Sequence, residues 1–319
     1  MAPIQRGHTA VLNTLPGAVA VTTGVFVVSA VMAMFNALGG IVAPLPLLYY
    51  YSRMGRMRGI AVFVLSALLA TIAMNVLGLR MPFIYFVLYG IAGPILSEIL
   101  RKNYSIEKTI GVSSLVVIAS GVAVLAAYSI TQGTNPWHFL EVSIHQMVQK
   151  KIELYNTLDI APEQMEVLRT HAGEIAGVLI GILPALTLVG TVLFMWVNTI
   201  AGKWLFEMLG MWYPDFGNLS RWRMSDKIVW VLIATGGALL LPVTVVRIVG
   251  LNAFFLMVFF YLLQGLAVVG FFFQVKRVPR MLQIIGYVII FAQQFLLLIV
   301  AALGLIDVWA DFRKVNKTV

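Results

Sequence analysis

Long apolar segments dominate this chain and constrain its fold more than any other feature of the sequence. Apolar residues make up 61% of the 319 residues and charged residues only 11%, whereas soluble domains are roughly 45–50% apolar and about 25% charged. A water-soluble core of this size cannot bury that excess. Runs of about 20 apolar residues match the hydrocarbon thickness of a bilayer, where helices keep their backbone hydrogen bonds satisfied. The sequence therefore predicts an all-α, polytopic transmembrane helical bundle.

Eight of the apolar segments are long enough to span a membrane, and a ninth is short and interrupted by proline. The predicted spans are 16–37, 60–79, 81–100, 109–130, 175–200, 227–246, 251–273 and 281–306. The ninth segment, 41–51, contains Pro44 and Pro46. It is predicted either to cross as a broken helix or to re-enter the membrane and return, with protein covering its backbone.

Two predictions concern bends between or within these spans. Pro94 is expected to kink the span at 81–100, because proline removes a backbone donor from the helix interior. Arg247 is expected to lie in the turn of a hairpin formed by the spans on either side of it.

Basic residues punctuate the apolar segments and predict their orientation. Lys and Arg in short loops mark the cytoplasmic side, and the short loops at 53–58, 101–108 and 276–280 are basic. The insert at 131–172 has five acidic residues against three basic ones. It is therefore predicted to be extracytoplasmic, with an amphipathic helix at 137–158. If segment 41–51 crosses, the N-terminus lies inside and the C-terminus outside, although the basic tail favours the inside; either one segment is re-entrant or the tail departs from the rule.

The resulting domain organisation has four parts. Residues 1–130 form N-terminal transmembrane helices, 131–172 the extracytoplasmic helical insert, 173–306 the C-terminal transmembrane helices, and 307–319 a polar tail. A cytoplasmic loop at 201–226 interrupts the third part, and its aromatic, amphipathic sequence is typical of a segment at the membrane interface.

Composition excludes several classes of function. The formal net charge is +9, but the basic residues beside the spans set topology and meet lipid head groups, so nucleic acid is not a predicted partner. The chain has no cysteine, which excludes thiolate catalysis and cysteine-ligated metals. It has no phosphate-binding Gly-x-x-x-x-Gly-Lys-Ser/Thr loop and no Gly-x-Ser-x-Gly elbow. We predict no enzymatic activity and no cofactor.

Uncharged polar residues inside the spans are the candidate ligand-binding residues. The strongest of them are Asn252, Gln264, Gln293 and Gln294. Such side chains hydrogen-bond between membrane helices, or they line a pocket for a small polar solute. The spans contain almost no charged residue at mid-depth, which argues against a proton-coupled pump.

Small and aromatic residues are the candidates for docking a partner protein. Ala33 and Ala37 lie four positions apart on one face of the first span, and this spacing lets helix backbones approach closely. Trp204 and Trp222 lie in the aromatic cytoplasmic loop. The alternative for the alanines is packing within this chain.

Three of the four histidines lie in or near the insert. His138, Glu141 and His145 follow helical spacing on one face, and His171 precedes the next span. Imidazole and carboxylate groups together ligate zinc and similar ions, so these four residues are a candidate metal site. The spacing is not the His-Glu-x-x-His of a metalloprotease, and the alternative is a solvated helix face.

Four motifs carry a family resemblance that covers nearly the whole chain. They are the Ala-Pro-Leu-Pro segment at 43–50 with the basic loop after it, the Phe-Gly-Asn-Leu-Ser-Arg-Trp-Arg segment at 216–230, the Lys-Arg-Val-Pro at 276–279, and the ending at 303–314. The chain resembles a bacterial family of polytopic membrane proteins of unknown function. That family is considered distantly similar to the substrate-binding S subunits of energy-coupling-factor transporters.

The resemblance implies a bacterial cytoplasmic (inner) membrane protein with an S-subunit-like core, which binds a small solute and uses partner subunits for ATP hydrolysis. In S subunits an Ala-x-x-x-Ala face docks on the coupling subunit, and Ala33 and Ala37 match that spacing. The chain departs from the pattern in having more than six spans and a larger outer insert. Two alternatives stay open: a non-transport scaffold in a larger complex, and a metal-dependent enzyme on the outer face.

Overall fold

The computed structural model describes residues 14–35, 39–79, 81–155 and 162–314, and every regular element in these ranges is helical. The helices are α1 (Leu15–Phe35), α2 (Pro44–Met54), α3 (Arg56–Val76), α4 (Phe83–Gly90), α5 (Ala92–Leu100), α6 (Ile106–Thr131), α7 (Pro136–Tyr155), α8 (Pro162–Thr170), α9 (Ala172–Met208), α10 (Val229–Ala238), α11 (Thr244–Val275), α12 (Arg280–Ala292) and α13 (Gln294–Ala310). Three short 3-10 helices lie at Gly39–Val42, Leu219–Arg221 and Asp226–Ile228. The predicted all-α fold is confirmed.

Six helices of the described part are long and apolar enough to cross a membrane, and a bent pair adds a seventh if it counts as one span. The six are Leu15–Met34, Arg56–Val76, Phe83–Leu100, Ile106–Thr131, Ala172–Met208 and Thr244–Val275. Each corresponds to a predicted span. The predicted number of eight is not reached, because two predicted spans are interrupted.

The predicted span 227–246 is wrong. Helix α10 ends at Ala238, and the next helix does not begin until Thr244. Pro242 lies in this gap; proline lacks a backbone N–H and disfavours helical backbone at the residue before it. Arg247 therefore lies inside the first turns of α11, and the predicted hairpin turn at Arg247 is also wrong.

The predicted span 281–306 is not one continuous helix. Helices α12 and α13 meet at Gln293, where the backbone is extended (φ −110°, ψ 106°), and their axes differ by 107°. Helix α12 has no buried residue, whereas α13 packs closely against α11. The bend at Gln293 therefore coincides with the tertiary packing of α13 against α11, and local helix preference does not account for it.

The short proline-containing segment forms a 3-10 turn followed by α2, with a proline in its first turn. Eleven residues of α-helix reach only about 17 Å, short of the hydrocarbon thickness. Seven of its residues are buried, among them Leu47 and Leu48. Helix α2 is therefore an internal helix covered by protein.

Two compact units divide the chain. Unit 1 comprises Met1–Pro136 and Gly190–Asp215, and unit 2 comprises Trp137–Val189 and Phe216–Val319. The core of unit 1 includes stacked rings of Phe26 and Phe86, 5.5 Å apart. A Cβ on Gly90 would lie 2.7 Å from Phe26, so the end of α4 approaches this core closely. Pro94, four residues later, is incompatible with a regular helix at Gly90, and the helix divides there as predicted.

Unit 2 is organised around the crossing of α11 and α13. A Cβ added to Gly265 would overlap the carbonyl oxygen of Val300, and one added to Gly304 would overlap the carbonyl oxygen of Tyr261. Glycines at these positions bring the two backbones into direct contact, as small residues do between membrane helices.

The insert forms a small hydrophobic cluster of its own within unit 2. Val148 and Ile152 on α7 pack with Met165 on α8 and with Ala172 and Ala176 at the start of α9. The helix predicted at 137–158 is present as α7. The predicted helix stop near 158–162 lies mostly outside the described residues.

Candidate functional site

A fully buried ion pair lies at the end of α13. The Arg313 Nη2 and Asp307 Oδ2 atoms are 2.6 Å apart, and both side chains are 0% exposed. Removing an ion from water costs several kcal/mol unless it is well paired and hydrogen-bonded. Buried charges in a membrane protein are functional candidates by default, so this pair defines the candidate site.

Asp307 is held from three directions. Besides Arg313, its carboxylate accepts hydrogen bonds from the backbone N–H of Phe312 at 3.1 Å and from Gln264 Nε2 at 3.2 Å. Gln264 in turn accepts a hydrogen bond through Oε1 from the backbone N–H of Met224, at 3.2 Å. The amide of Gln264 thereby joins α11, α13 and loop 216–226.

Arg313 fixes the same loop through its other nitrogen. Its Nη1 donates to the backbone carbonyl oxygens of Ser220 and Trp222, both at 2.8 Å. The chain can bring Arg313 back over the end of α13 because Asp311 adopts a left-handed conformation (φ 42°) at the helix C-cap, a position that Asp tolerates better than most residues.

A second arginine, Arg223, binds the end of α13 from the side of the loop. It donates to Asp311 Oδ1 at 3.1 Å, to Asp226 Oδ1 at 2.9 Å and to the carbonyl oxygen of Val308 at 2.7 Å. Two arginines and three aspartates thus alternate across the junction, and each arginine contacts at least one carboxylate. We call Gln264, Arg223, Asp307, Asp311 and Arg313 the buried polar cluster.

Local structure positions the loop for these contacts. Asn218 caps the 3-10 helix Leu219–Arg221 by accepting a hydrogen bond from the Ser220 N–H at 3.0 Å. Gln274, near the end of α11, accepts hydrogen bonds from Asn218 Nδ2 at 3.1 Å and from Ser220 Oγ at 3.0 Å. Ser220 therefore contacts Gln274 through its side chain and Arg313 through its carbonyl.

The buried polar cluster acts as a structural lock, by which we mean that it fixes loop 216–226 to the end of α13 through hydrogen bonds and ion pairs. Its carboxylates are occupied by arginines, amides and backbone N–H groups, and the loop carbonyls are occupied by Arg313. Among the buried side-chain nitrogen and oxygen atoms described in the cluster, the Nε atoms of Arg223 and Arg313 lack a hydrogen-bond partner. The arrangement holds loop 216–226 against the end of α13.

The predicted ligand-binding residues do not form one site. Gln264 belongs to the buried polar cluster, and Asn252 lies twelve residues earlier on α11, about 18 Å away along the helix. Gln293 and Gln294 are exposed at the bend between α12 and α13.

Asn252 instead compensates for a proline in α9. Its Oδ1 accepts from the Ala185 N–H at 2.9 Å, and its Nδ2 donates to the Gly181 carbonyl at 2.7 Å. These two backbone groups are partners in a regular α-helix, and Pro184 disturbs that turn. Asn252 therefore has a structural role at the proline.

The predicted docking residues differ in their exposure and in their contacts within the chain. A Cβ on Gly39 would overlap the backbone nitrogen of Ala33, so Ala33 packs against the 3-10 turn of its own chain. Ala37 lies outside the described residues. Trp204 is 65% exposed, and Trp222 is half-buried, with its carbonyl bound to Arg313.

The predicted metal ligands are not gathered in the described structure. His138 lies 3.9 Å from Glu141, and His171 lies 3.0 Å from Glu174, each as a pair of helical neighbours. His145 is exposed on α7. Within the described residues, no three His, Asp or Glu side chains are placed to hold a metal ion.

The sequence interpretation missed Arg223, Asp307 and Arg313 as site residues. Each lies in a segment that carries the family resemblance. Arg223 is 84 positions from Asp307 and 90 from Arg313, and the left-handed turn at Asp311 lies between Asp307 and Arg313. A signal was present: an aspartate ends the apolar part of the last segment, and an arginine follows six residues later. Periodicity cannot pair that arginine with a distant loop.

The helices long enough to cross a membrane define the class: a polytopic helical membrane protein. The chain belongs to the family described as Predicted membrane protein (DUF2232), whose model matches residues 20–308. The family resemblance predicted from the sequence is confirmed, and the more distant similarity to S subunits stays a prediction. No curated protein and no solved structure matches the chain.

Proposed function

We propose that this protein is a subunit of the bacterial cytoplasmic membrane that acts with partner proteins, and that loop 216–226 with the end of α13 is its contact surface. The observation that carries the proposal is the buried polar cluster. It fixes a non-helical loop to a helix end through paired charges, and a surface fixed in this way binds a partner with little loss of conformational freedom.

The side chains that flank the lock support this role. Arg221 and Lys227 are exposed, Trp230 is 71% exposed and Trp309 is 66% exposed. Tryptophan and arginine are the residues most enriched at the energetic centres of protein interfaces. The Val308 carbonyl bound to Arg223 places Trp309 beside the loop. The proposal assigns no catalytic reaction to the chain.

Affinity purification in mild detergent tests the proposal. We expect proteins that copurify with the wild type to be lost with Trp309→Ala and retained with Trp204→Ala, a control tryptophan of equal exposure in unit 1. Retention with both variants, or loss only with Trp204→Ala, contradicts the choice of surface. A wild-type protein that purifies alone from crosslinked membranes contradicts partner association altogether.

A second candidate function, solute binding within a transport complex, is favoured by the bend at Gln293. Neither Gln293 nor Gln294 has a side-chain hydrogen-bond partner among the described residues, although both interrupt an apolar segment. Interrupted helices form substrate sites in many transporters. Native mass spectrometry of protein taken directly from membranes tests this alternative: a bound small molecule should disappear in the Gln293→Leu/Gln294→Leu variant, and its absence from the wild type contradicts the idea.

A further inference from the structure

Two basic loops that are far apart in the sequence form one surface in unit 1. Arg56, at the start of α3, makes a two-pronged contact with Glu98 on α5, through Nε at 2.8 Å and Nη2 at 2.7 Å. Ser52 and Ser97 share a hydrogen bond of 2.7 Å between their hydroxyls. Arg101 reaches back to the same carboxylate at 3.7 Å. These contacts join loop 53–58 to the turn at 101–104.

The joined surface carries a large excess of positive charge. The two joined loops contain five bases, Arg53, Arg56, Arg58, Arg101 and Lys102, and the acid that joins them is Glu98 on α5. Arg56 and Arg101 share that acid. Arg53, Arg58 and Lys102 have no carboxylate partner among the described residues. The tendency of short loops to be basic on the cytoplasmic side accounts for bases in each loop, but it does not require the two loops to be bound together.

Tyrosine rings orient several of these bases. The guanidinium carbon of Arg53 lies 5.7 Å from the centre of the Tyr49 ring, and the Lys102 ammonium lies 5.9 Å from the Tyr104 ring. Cation–π contacts of this kind hold a cation in place without neutralising it. The cations of this surface are therefore partly ordered and still available to an anion.

The surface lies where the membrane surface must be. One candidate span begins at Arg56, and another ends at Leu100. The cations beyond these helix ends are therefore level with the phosphate groups of the surrounding lipid. Guanidinium groups match phosphate geometry through paired hydrogen bonds, and basic pockets between membrane helices bind anionic head groups.

We propose that Arg53, Arg58, Arg101 and Lys102 form a binding site for the phosphate head group of an anionic membrane lipid. The site is independent of the proposed partner surface, which lies in unit 2. Charge complementarity and the position at the span ends select a lipid rather than a soluble anion. The ion pairs around Glu98 keep the two loops together when the site is empty.

Lipid titration of the full-length protein in detergent, followed by native mass spectrometry, tests the site. Phosphatidylglycerol is the probe, phosphatidylcholine is the neutral reference lipid, and inorganic phosphate is the soluble anion. The test variant is Arg58→Ala/Lys102→Ala. The control is Lys276→Ala/Arg280→Ala, which removes two exposed bases from the other basic loop.

We expect the test variant to bind phosphatidylglycerol about 30-fold more weakly than the wild type, since each base that contacts the phosphate of the bound lipid contributes roughly a factor of five and the two bases of the control lie outside the proposed site. The control should bind like the wild type. Both test positions are exposed and lack a carboxylate partner, so the unfolding midpoint should not change. Equal loss in both variants, no loss in either, or equal binding of phosphatidylcholine overturns the proposal. Displacement of the lipid by an equal concentration of inorganic phosphate also overturns it, because it identifies a soluble anion as the ligand.

Discussion

Replacing Asp307 by asparagine removes the negative charge of the buried ion pair while nearly preserving the shape of the side chain. The asparagine Oδ1 still accepts from the Phe312 N–H, but its Nδ2 cannot accept from Gln264 Nε2 or Arg313 Nη2; Arg313 keeps its two loop carbonyls. The carboxylate that pairs with Arg313 at 2.6 Å disappears, in a place where both side chains are 0% exposed. Removing one partner of a buried pair leaves an uncompensated charge and costs about 3–5 kcal/mol.

The assay is equilibrium unfolding of the detergent-solubilised protein, followed by tryptophan fluorescence. Lys203→Ala is the control, since Lys203 and Glu207 are 3.9 Å apart and their side chains are 40% and 62% exposed. Such a pair contributes at most about 1 kcal/mol. If Asp307→Asn costs no more than Lys203→Ala, the cluster does not stabilise the fold and our account of it as a lock is wrong.

Three further predictions test other parts of the structure. Asn252→Leu should reduce the free energy of unfolding by about 1–3 kcal/mol, because it leaves two backbone groups at the proline of α9 unpaired; the same unfolding assay measures it. Gly304→Ala should reduce the free energy of unfolding by ~1–3 kcal/mol or more, because the added Cβ overlaps the backbone of α11. Gly237→Ala is the control: its Cβ meets open space, so the free energy of unfolding should be unchanged or increased. Burial raises the pKa of Tyr213 above its ordinary value of 10.0, so the unfolded form ionises first. Stability should therefore fall as the pH rises above about 10, and Tyr213→Phe should remove that part of the decrease in a pH series of unfolding measurements.

Hydropathy predicted the six long helices because each of them is apolar over a full membrane thickness. The same criterion failed at 227–246, where three leucines before Pro242 maintain the apolar character of the segment while the proline ends the helix. Pro94 interrupts its helix by the same physical rule, the loss of a backbone donor. A hydropathy criterion takes no account of that backbone effect, so Pro242 is hidden within an apolar run.

The polar cluster shows a different limit of sequence reasoning. Gln264 was recognised as a polar residue in a span, but its partners, Met224 and Asp307, are 40 and 43 positions away. No helical period connects them. Asn252 was likewise recognised as unusual, and its pairing with the turn around Pro184 depends on the packing of α9 against α11. A polar residue in an apolar helix indicates from the sequence that its side chain makes hydrogen bonds. Only the folded structure shows which residues are its partners.

The double contact of Ser220 also brings together the two ends of the segment that contains the last two helices. Gln274 near the end of α11 and Arg313 after α13 both touch this one residue. Two side chains and one residue span much less than the ~30 Å of a hydrocarbon core. The segment formed by α12 and α13 therefore starts and finishes close to one point, which is the arrangement expected of a re-entrant pair that turns at Gln293. A re-entrant pair predicts that the basic tail shares a side with the basic loop at 276–280, so a reporter fused to the C-terminus should face the same compartment as one inserted in that loop.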